Sequence, residues 1–333
     1  MTKNLTINDL ANKLNLSIAT VSKALRNKNG IAEATKLYVL NTAKELDYKP
    51  NYWAKSLVNH KSNIIGLLVP SLNENFYRNL VDSFFATAES KGLNILLFIT
   101  GNNQKIEHQQ ILRVLSYNPQ GIILTSSTND FENHKALLKK IPKVIFIDPY
   151  SKKDNFSSIQ INHANSVYDA IDSSIKHGYE KFACFCEETN ELSENQKFSG
   201  FINALIDNNK ELNPLWINYG KFTFDDLFKI VKDLKKNNQL REMIFASNEK
   251  YSLKLYSIFN KLKLKVPENV DFICYDDGIE NLTYDFPYCV IKQPIAEITE
   301  NAIDIVLENV LSKSEIALNI SLMSNKIFRL KPN

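Results

Sequence analysis

From Ile64 onward the chain alternates short apolar runs with stretches of helical spacing, and few architectures tolerate that rhythm. Residues 64–69, 94–99, 121–124 and 144–148 read as strands, with helices over 77–91 and 106–115 and a shorter one near 135–139. A second series follows, with helices over 164–177, 195–206, 224–234 and 248–262 and strands at 182–185, 243–246 and 270–275. Strands this short and this uniformly apolar are shielded from water on both faces, since a wet face would carry polar residues at every second position. Intervening helices supply the cover. The expectation is therefore parallel sheets wrapped on both sides, and the two series imply two such lobes.

The first fifty residues follow a different pattern. Thr6 can cap a helix, with Asp9 three residues on completing the signal. Ile7, Leu10, Ala11 and Leu14 then share one face at helical spacing. Asn15 and Leu16 interrupt, and Ser17 can cap a second short helix running to about Asn27. Its inner face would be Val21, Ala24 and Leu25, and its outer face Ile18, Ala19, Thr20, Ser22, Lys23 and Arg26. A third helix over 33–46 is expected to bury Thr35, Val39, Leu40, Ala43 and Leu46. Two short helices joined by a tight turn, with a third packed beneath, make an all-α helix-turn-helix head. The small and short polar outer residues of the second helix suit close approach to base edges. Spacing alone fits a plain three-helix bundle equally well.

Charge adds a direction. Residues 1–60 hold nine lysine or arginine side chains against four acidic ones, a balance of +5 in a chain whose total is +3, which leaves −2 for the rest. A basic head on a slightly acidic body points the head toward a polyanion. With 333 residues, 44% of them hydrophobic, the chain can build more than one core. No segment has the basic start, apolar stretch and cleavage site of an export signal, and no apolar run approaches the ~18 residues of a membrane span, so a cytoplasmic protein is expected. The four cysteines, Cys184, Cys186, Cys274 and Cys289, lie in apolar strand-like runs with no CxxC pair, and read as buried free thiols. The nine glycines form no phosphate-binding loop, the five histidines no HExxH pair, and no GxSxG elbow occurs. Catalytic residues, cofactors and metal ions are accordingly not expected.

The stretch Thr6-Ile-Asn-Asp-Leu-Ala-Asn-Lys-Leu-Asn-Leu-Ser-Ile-Ala-Thr-Val-Ser-Lys-Ala-Leu-Arg-Asn27 resembles the head of the lactose/galactose/purine repressor (LacI/GalR) family of bacterial transcription regulators. The family pattern reads T-I-x-D-[IV]-A-x-x-x-x-V-S-x-x-T-V-S-[RK]-x-[LV]-N, and the likeness continues through Ile31-Ala-Glu-Ala-Thr35 and Ala43-Lys-Glu-Leu-Asp-Tyr-Lys-Pro-Asn51. The resemblance implies that Ile18, Ala19 and Lys23 read bases, while Thr6, Ser17, Thr20, Ser22 and Asn27 hold phosphates or cap helices. Lys23 stands where the family often has arginine, and lysine reaches guanine without the rigid fork. Residues 51–60 resemble the family's hinge, N-x-x-A-[RK]-x-L. Alone they are too short for a stable helix. The resemblance implies that Leu57 wedges into the minor groove once two hinges pair on DNA; packing against the body is the competing role.

The body resembles the family's sensor, which looks like a periplasmic sugar-binding protein. Val69-Pro-Ser-Leu-Asn-Glu-Asn-Phe-Tyr77, Lys197-Phe-Ser-Gly-Phe201, Phe245-Ala-Ser-Asn248, Phe272-Ile-Cys-Tyr-Asp-Asp277 and Ile291-Lys-Gln-Pro294 carry the likeness. It implies a head over 1–50, a hinge over 51–60, an N-terminal lobe from 61–161 and 292–323, and a C-terminal lobe from 162–291 and 324–333. The ligand would sit between the lobes at the carboxyl ends of strands. Phe76 and Phe222 match positions that stack on ligand, with core packing as the alternative. Asp276 matches an acid that accepts ligand hydrogens, with a loop cap as the alternative. Asn248 matches a polar contact, with helix capping as the alternative. Ser126 and Ser193 complete the set. Lys197 stands where many members place a ligand-facing arginine, and Glu191 lies in a loop that carries a basic residue in the purine-binding member. Both departures disfavour a planar carboxylated purine, which suits a bidentate arginine, and favour a neutral sugar or sugar derivative. The expected protein is a transcription regulator, a repressor by resemblance, that binds near-palindromic operator DNA as a homodimer under the control of that effector. The tetramerising heptads of the lactose member have no counterpart after Ile327-Phe-Arg-Leu330.

Overall fold

The computed structural model describes residues 5–27, 29–48, 62–125, 132–149, 156–189, 192–240, 242–276, 288–308 and 318–328. The chain forms two compact units, Met1–Ser62 and Asn63–Asn333. The first contains helices α1 (Ile7–Leu14), α2 (Ile18–Leu25) and α3 (Glu33–Glu45). Leu10, Leu14, Val21, Ala24, Val39 and Ala43 form its core. Helix α2 stops two residues short of the expected Asn27, which takes a left-handed backbone (φ 54°). Leu40, expected inside, is 40% exposed, and Thr35 is only half-buried. The α3 stripe is narrower than its apolar residues imply, because two short helices cannot cover a wider one.

The second unit holds two six-stranded sheets. The first uses β1 (Ile64–Val69), β2 (Asn94–Ile99), β3 (Gly121–Leu124), β4 (Val144–Ile147), β5 (Ser157–Ile161) and β11 (Asn319–Leu322), in the order β11-β5-β4-β3-β1-β2 and parallel throughout. Helices α4 (Asn75–Ser90), α5 (Gln104–Ser116), α6 (Glu132–Leu138) and α11 (Ile295–Leu307) cover it. Alternate residues of β1 serve opposite faces. Ile65, Leu67 and Val69 meet Leu80 and Phe84 of α4 and Ile298 and Ala302 of α11, while Leu68 meets Ile111 and Val114 of α5 and Leu138 of α6.

The second sheet uses β6 (Phe182–Glu187), β7 (Ile217–Gly220), β8 (Met243–Ala246), β9 (Asp271–Tyr275), β10 (Cys289–Lys292) and β12 (Asn325–Phe328), ordered β12-β10-β9-β8-β6-β7. Only β12 runs antiparallel to its neighbour. Helices α9 (Phe224–Lys236) and α10 (Glu249–Lys261) pack on one face, and α7 (His163–Lys176) and α8 (Leu192–Asp207) on the other. The α7–α8 contact needs glycine at position 200, where a Cβ would lie 2.2 Å from the Ala164 carbonyl oxygen. All four cysteines are buried and free, and burial pushes the Cys289 thiol up to about 12.

The chain passes between the sheets three times: from β5 into α7, from β10 into α11, and from β11 into β12. Strands β5, β7, β10, β11 and β12 and helix α11 were not among the elements read from periodicity. Among the described residues no helix is long and apolar enough to cross a membrane.

Candidate functional site

Two surfaces carry chemistry, one on each unit. In the head, Asn15 takes a left-handed backbone (φ 54°), which asparagine tolerates better than most residues. That residue turns the chain sharply: Leu16 N–H donates back to the Ala11 carbonyl at 3.1 Å. Thr6 caps α1, its Oγ1 accepting from Asp9 N–H at 3.3 Å while the Asp9 carboxylate accepts from Thr6 N–H at 2.9 Å. Ser17 caps α2, accepting from Thr20 N–H at 3.1 Å. Its hydroxyl also lies 2.8 Å from that of Thr20.

With Val21 and Ala24 buried, successive 100° steps place Ile18, Ala19, Ser22, Lys23 and Arg26 on the opposite arc. Ile18, Ala19, Lys23, Arg26 and Asn27 are exposed, while Thr20 and Ser22 are half-buried. An isoleucine left 50% exposed beside small and cationic neighbours on a capped helix makes a shallow edge with an apolar point. Such an edge can meet a thymine methyl and base-edge acceptors. Leu57 and the hinge residues 51–60 lie outside the described residues.

In the second unit a cavity of about 680 Å³ opens at the carboxyl ends of both sheets. One wall comes from the loop after β1 and the start of α4, with Asn73, Glu74, Phe76 and Tyr77, and from Asp148 just past β4. The facing wall has Glu187 at the end of β6, Ser193, Glu194 and Lys197 on α8, and Asn248 and Glu249 at the start of α10. His163 lies where the chain enters α7, and Asp276 and Gln293 just past the ends of β9 and β10. The Asn75 backbone N–H of the first wall donates to the Glu249 carboxylate of the second at 3.2 Å, and the Asn75 amide bonds to it as well.

Buried hydrogen bonds fix the floor. His163 Nε2 lies 2.9 Å from Asp148 Oδ2, and its Nδ1 lies 2.6 Å from the Tyr275 hydroxyl. That hydroxyl lies 2.9 Å from Ser324 Oγ, at the passage from β11 into β12. Burial raises the Tyr275 phenol well above its usual range. Lys197 donates to Glu194 Oε1 at 2.8 Å, and Ser247 Oγ donates to the other Glu194 oxygen at 2.5 Å. The Lys197 ammonium also sits 4.2 Å from the Tyr275 ring centre. Burial opposes the charge on Lys197, but Glu194, Asp276 and Tyr275 outweigh it and hold its pKa above the lysine range.

Of the expected effector residues, Phe76, Ser193, Lys197, Asn248 and Asp276 line this one cavity. Asn248 caps α10, accepting from Tyr251 N–H at 2.9 Å, and its amide donates to Glu187 at 3.1 Å along the cavity wall. Asp276 has a left-handed backbone (φ 71°) and accepts from the Gln293 amide. Phe222 is not among the described lining residues. It packs on the second-sheet core, 6.2 Å from the Tyr251 ring, and its N–H donates to the Tyr251 hydroxyl at 2.9 Å. That phenol, itself donating to Gly220 O, draws Phe222 inward, and burial pushes its pKa up to about 12. Ser126 and Glu191 lie outside the described residues. Asp148, His163, Glu187, Glu194 and Gln293 are among the lining residues that sequence reasoning missed. Asp148, Glu187 and Gln293 each stand at or just past a strand's carboxyl end, and that signal was available. Among the described residues no group of three or more His, Cys, Asp or Glu side chains is arranged to hold a metal ion.

Residues 6–51 match the family described as bacterial regulatory proteins, lacI family, and residues 62–317 match the periplasmic binding proteins and sugar binding domain of LacI family. The chain is 28% identical to the HTH-type transcriptional repressor PurR of Vibrio vulnificus, over 92% of each protein. It is 26% identical to the catabolite control protein A of Priestia megaterium, over 82% of this chain and 83% of that one. Its fold superposes on the lac repressor dimer bound to operator and an anti-inducer with a TM-score of 0.82, at 19% identity and 98% coverage of both chains.

Proposed function

The chain belongs to the lacI family of bacterial regulatory proteins, and from that membership we propose a sequence-specific transcriptional repressor whose grip on its operator is set by a small molecule in the cleft. The observation that carries the reading is the exposed arc of α2, held by the Ser17 cap and the Asn15 turn and presenting Ile18, Ala19 and Lys23 together. In this reading those three side chains meet base edges in the major groove. Ser17, Thr20, Ser22, Asn27 and Thr6 hold the phosphates beside them, where they are not spent on caps. Two heads on a homodimer meet two half-sites of a near-palindrome. Leu57 of each hinge enters the minor groove between them, unstacking a base step at a cost of a few kcal/mol that added contact offsets.

The cleft supports the second half of the reading. Its walls come from different lobes, so a ligand that touches both changes the angle between them and with it the separation of the hinges. The lining residues are mostly polar or charged, with one aromatic pair, Phe76 and Tyr77, their rings 5.1 Å apart. That lining suits a neutral sugar or sugar derivative, with Phe76 beneath the ring and Asp276, Asn248 and Ser193 on hydroxyl groups. We read the protein as a binder working in the cytoplasm, without catalytic activity of its own.

The test is a selection of duplexes from a random pool by the full chain, followed by gel shift with and without a sugar panel. A palindromic consensus should emerge, and at least one sugar should alter its retention. Leu57→Ala should weaken binding to that consensus sharply and leave random duplex unaffected. Equal retention of all duplexes at moderate salt would refute the DNA reading.

A further inference from the structure

Carboxylates outnumber cations along the described wall of the cleft. Glu74, Asp148, Glu187, Glu194, Glu249 and Asp276 line it, against Lys197, Lys250 and Lys254. None of the described lining residues is an arginine. The lysines are already engaged. Lys197 pairs with Glu194 at 2.8 Å, with only 5% and 6% of the two side chains exposed. Lys250 pairs with Glu187 at 2.7 Å. Lys254 directs its ammonium to the Phe222 carbonyl at 2.9 Å. A phosphate or carboxylate entering the cleft would find Lys197 and Lys250 already paired with carboxylates and Lys254 bonded to a neutral carbonyl, and would lie beside more fixed like charges than opposite ones.

The acids are engaged differently. Asp276 accepts from the Gln293 amide, an uncharged donor, and shares the field of Lys197 with Glu194, while Asp148 is held by an imidazole nitrogen of His163 at 2.9 Å. Both line the cavity with a carboxylate that can accept further hydrogen bonds. An ammonium brings three donors and a positive charge, which matches this surface better than a hydroxyl does.

We propose that the cleft selects its ligand by charge, taking a polyhydroxylated molecule that bears a protonated amine, of amino-sugar type, over the same molecule bearing a phosphate or carboxylate. Asp276 receives the amine, and Glu194 sets the bias by cancelling Lys197. The proposal rests on the cleft being the effector site and names the class of molecule that site prefers.

Calorimetry and thermal shift on the full chain, at constant ionic strength, compare glucosamine and galactosamine with glucose, N-acetylglucosamine, glucose 6-phosphate and glucuronate. The amines should bind at least tenfold more tightly than N-acetylglucosamine, in which the charge is gone, and the two anions should give no shift. Asp276→Asn suits the left-handed backbone there, and should cut the preference for amine over neutral sugar below threefold. Glu194→Gln should admit glucose 6-phosphate; where that variant fails to fold, the Asp276→Asn result decides. Binding of either anion as tight as that of the amines overturns the proposal, as does an amine preference that survives Asp276→Asn, or silence from all six sugars. An anionic or neutral sugar that alone alters operator retention would sink the charge rule and leave the effector reading standing. Silence from a broad metabolite panel, with operator binding intact, would remove the effector reading itself.

Discussion

At the scale of single residues, Lys23 and Gly200 carry the sharpest consequences. Lys23 is exposed on the outer arc of α2 beside Ile18 and Ala19. Lys23→Ala should cost about 1–3 kcal/mol of affinity for the selected duplex, the usual worth of a good base contact. Fluorescence anisotropy on selected and scrambled duplexes checks it, and an equal loss on both would make Lys23 a phosphate contact instead. At position 200 the nearest obstacle to a Cβ is the Ala164 backbone oxygen, 2.2 Å away, so no side chain can turn aside to admit it. Gly200→Ala should therefore force α7 and α8 apart and destabilise the second unit by about 1–3 kcal/mol, the usual cost of overpacking. Urea unfolding followed by fluorescence would show it, with the head's DNA contacts unchanged in kind.

At the scale of elements, caps decide whether the short helices hold. Helix α2 has only eight residues, and an isolated helix of that length is marginal in water. Ser17→Ala removes the acceptor for Thr20 N–H and should cost about 1 kcal/mol. The loss should appear as a lower melting temperature of the head and as weaker binding to every duplex sequence, since the reading arc loses its support. Helix α9 uses the same device in a form that responds to pH. Hydrogen bonds from the Thr223 side chain and backbone hold the Asp226 carboxyl below the usual range. A lowered folded-state pKa contributes stability above the unfolded value, ~4 for aspartate, and loses it as the pH falls through the folded value. Thr223→Ala should thus reduce stability at neutral pH and flatten its acid dependence, as measured by denaturation at pH 7 and pH 3.

The elements also show which parts of the structure sequence alone could announce. Ile64–Val69 and Met243–Ala246 are buried at every position, and runs of that kind speak plainly. Strand β7, Ile-Asn-Tyr-Gly, is half-buried throughout at a sheet edge, and β11 and β12 are edge strands with exposed residues. These three edge strands owe their places to a neighbour's backbone more than to buried side chains, unlike the edge strand β2 with its apolar run Ile95–Ile99. Helix α11 did carry a signal in Ile298, Ala302 and Ile305, but the four-residue strand before it gave no warning. In the cleft, residues at strand ends were accessible to reasoning by position. The Glu194–Lys197 pairing was not, because an i, i+3 acid–base pair usually marks a solvated helix face. Phe222 shows the reverse. Its chemistry suited a ligand, and only the tertiary position of Tyr251 turns it into the core.

At the scale of the whole molecule, the basic head predicts strong dependence on salt. If the bound dimer neutralises about six to ten phosphates, raising salt from 50 to 200 mM should weaken operator binding by about 10³–10⁵-fold. The slope of log affinity against log salt measures the number of contacts, and a shallow slope would leave the head with too few of them for the proposed docking. A different consequence follows from the three passages between the sheets. Strand β11 borders β5, β12 borders β10, and α11 closes over β1 and α4, so the last tenth or so of the chain finishes both lobes. As the chain leaves the ribosome, the first lobe therefore exposes the apolar ground meant for Ile298 and Ala302 while the second lobe from α7 to β10 is being made. Slower translation or a smaller chaperone supply should therefore lower the yield of folded protein, as soluble expression would show.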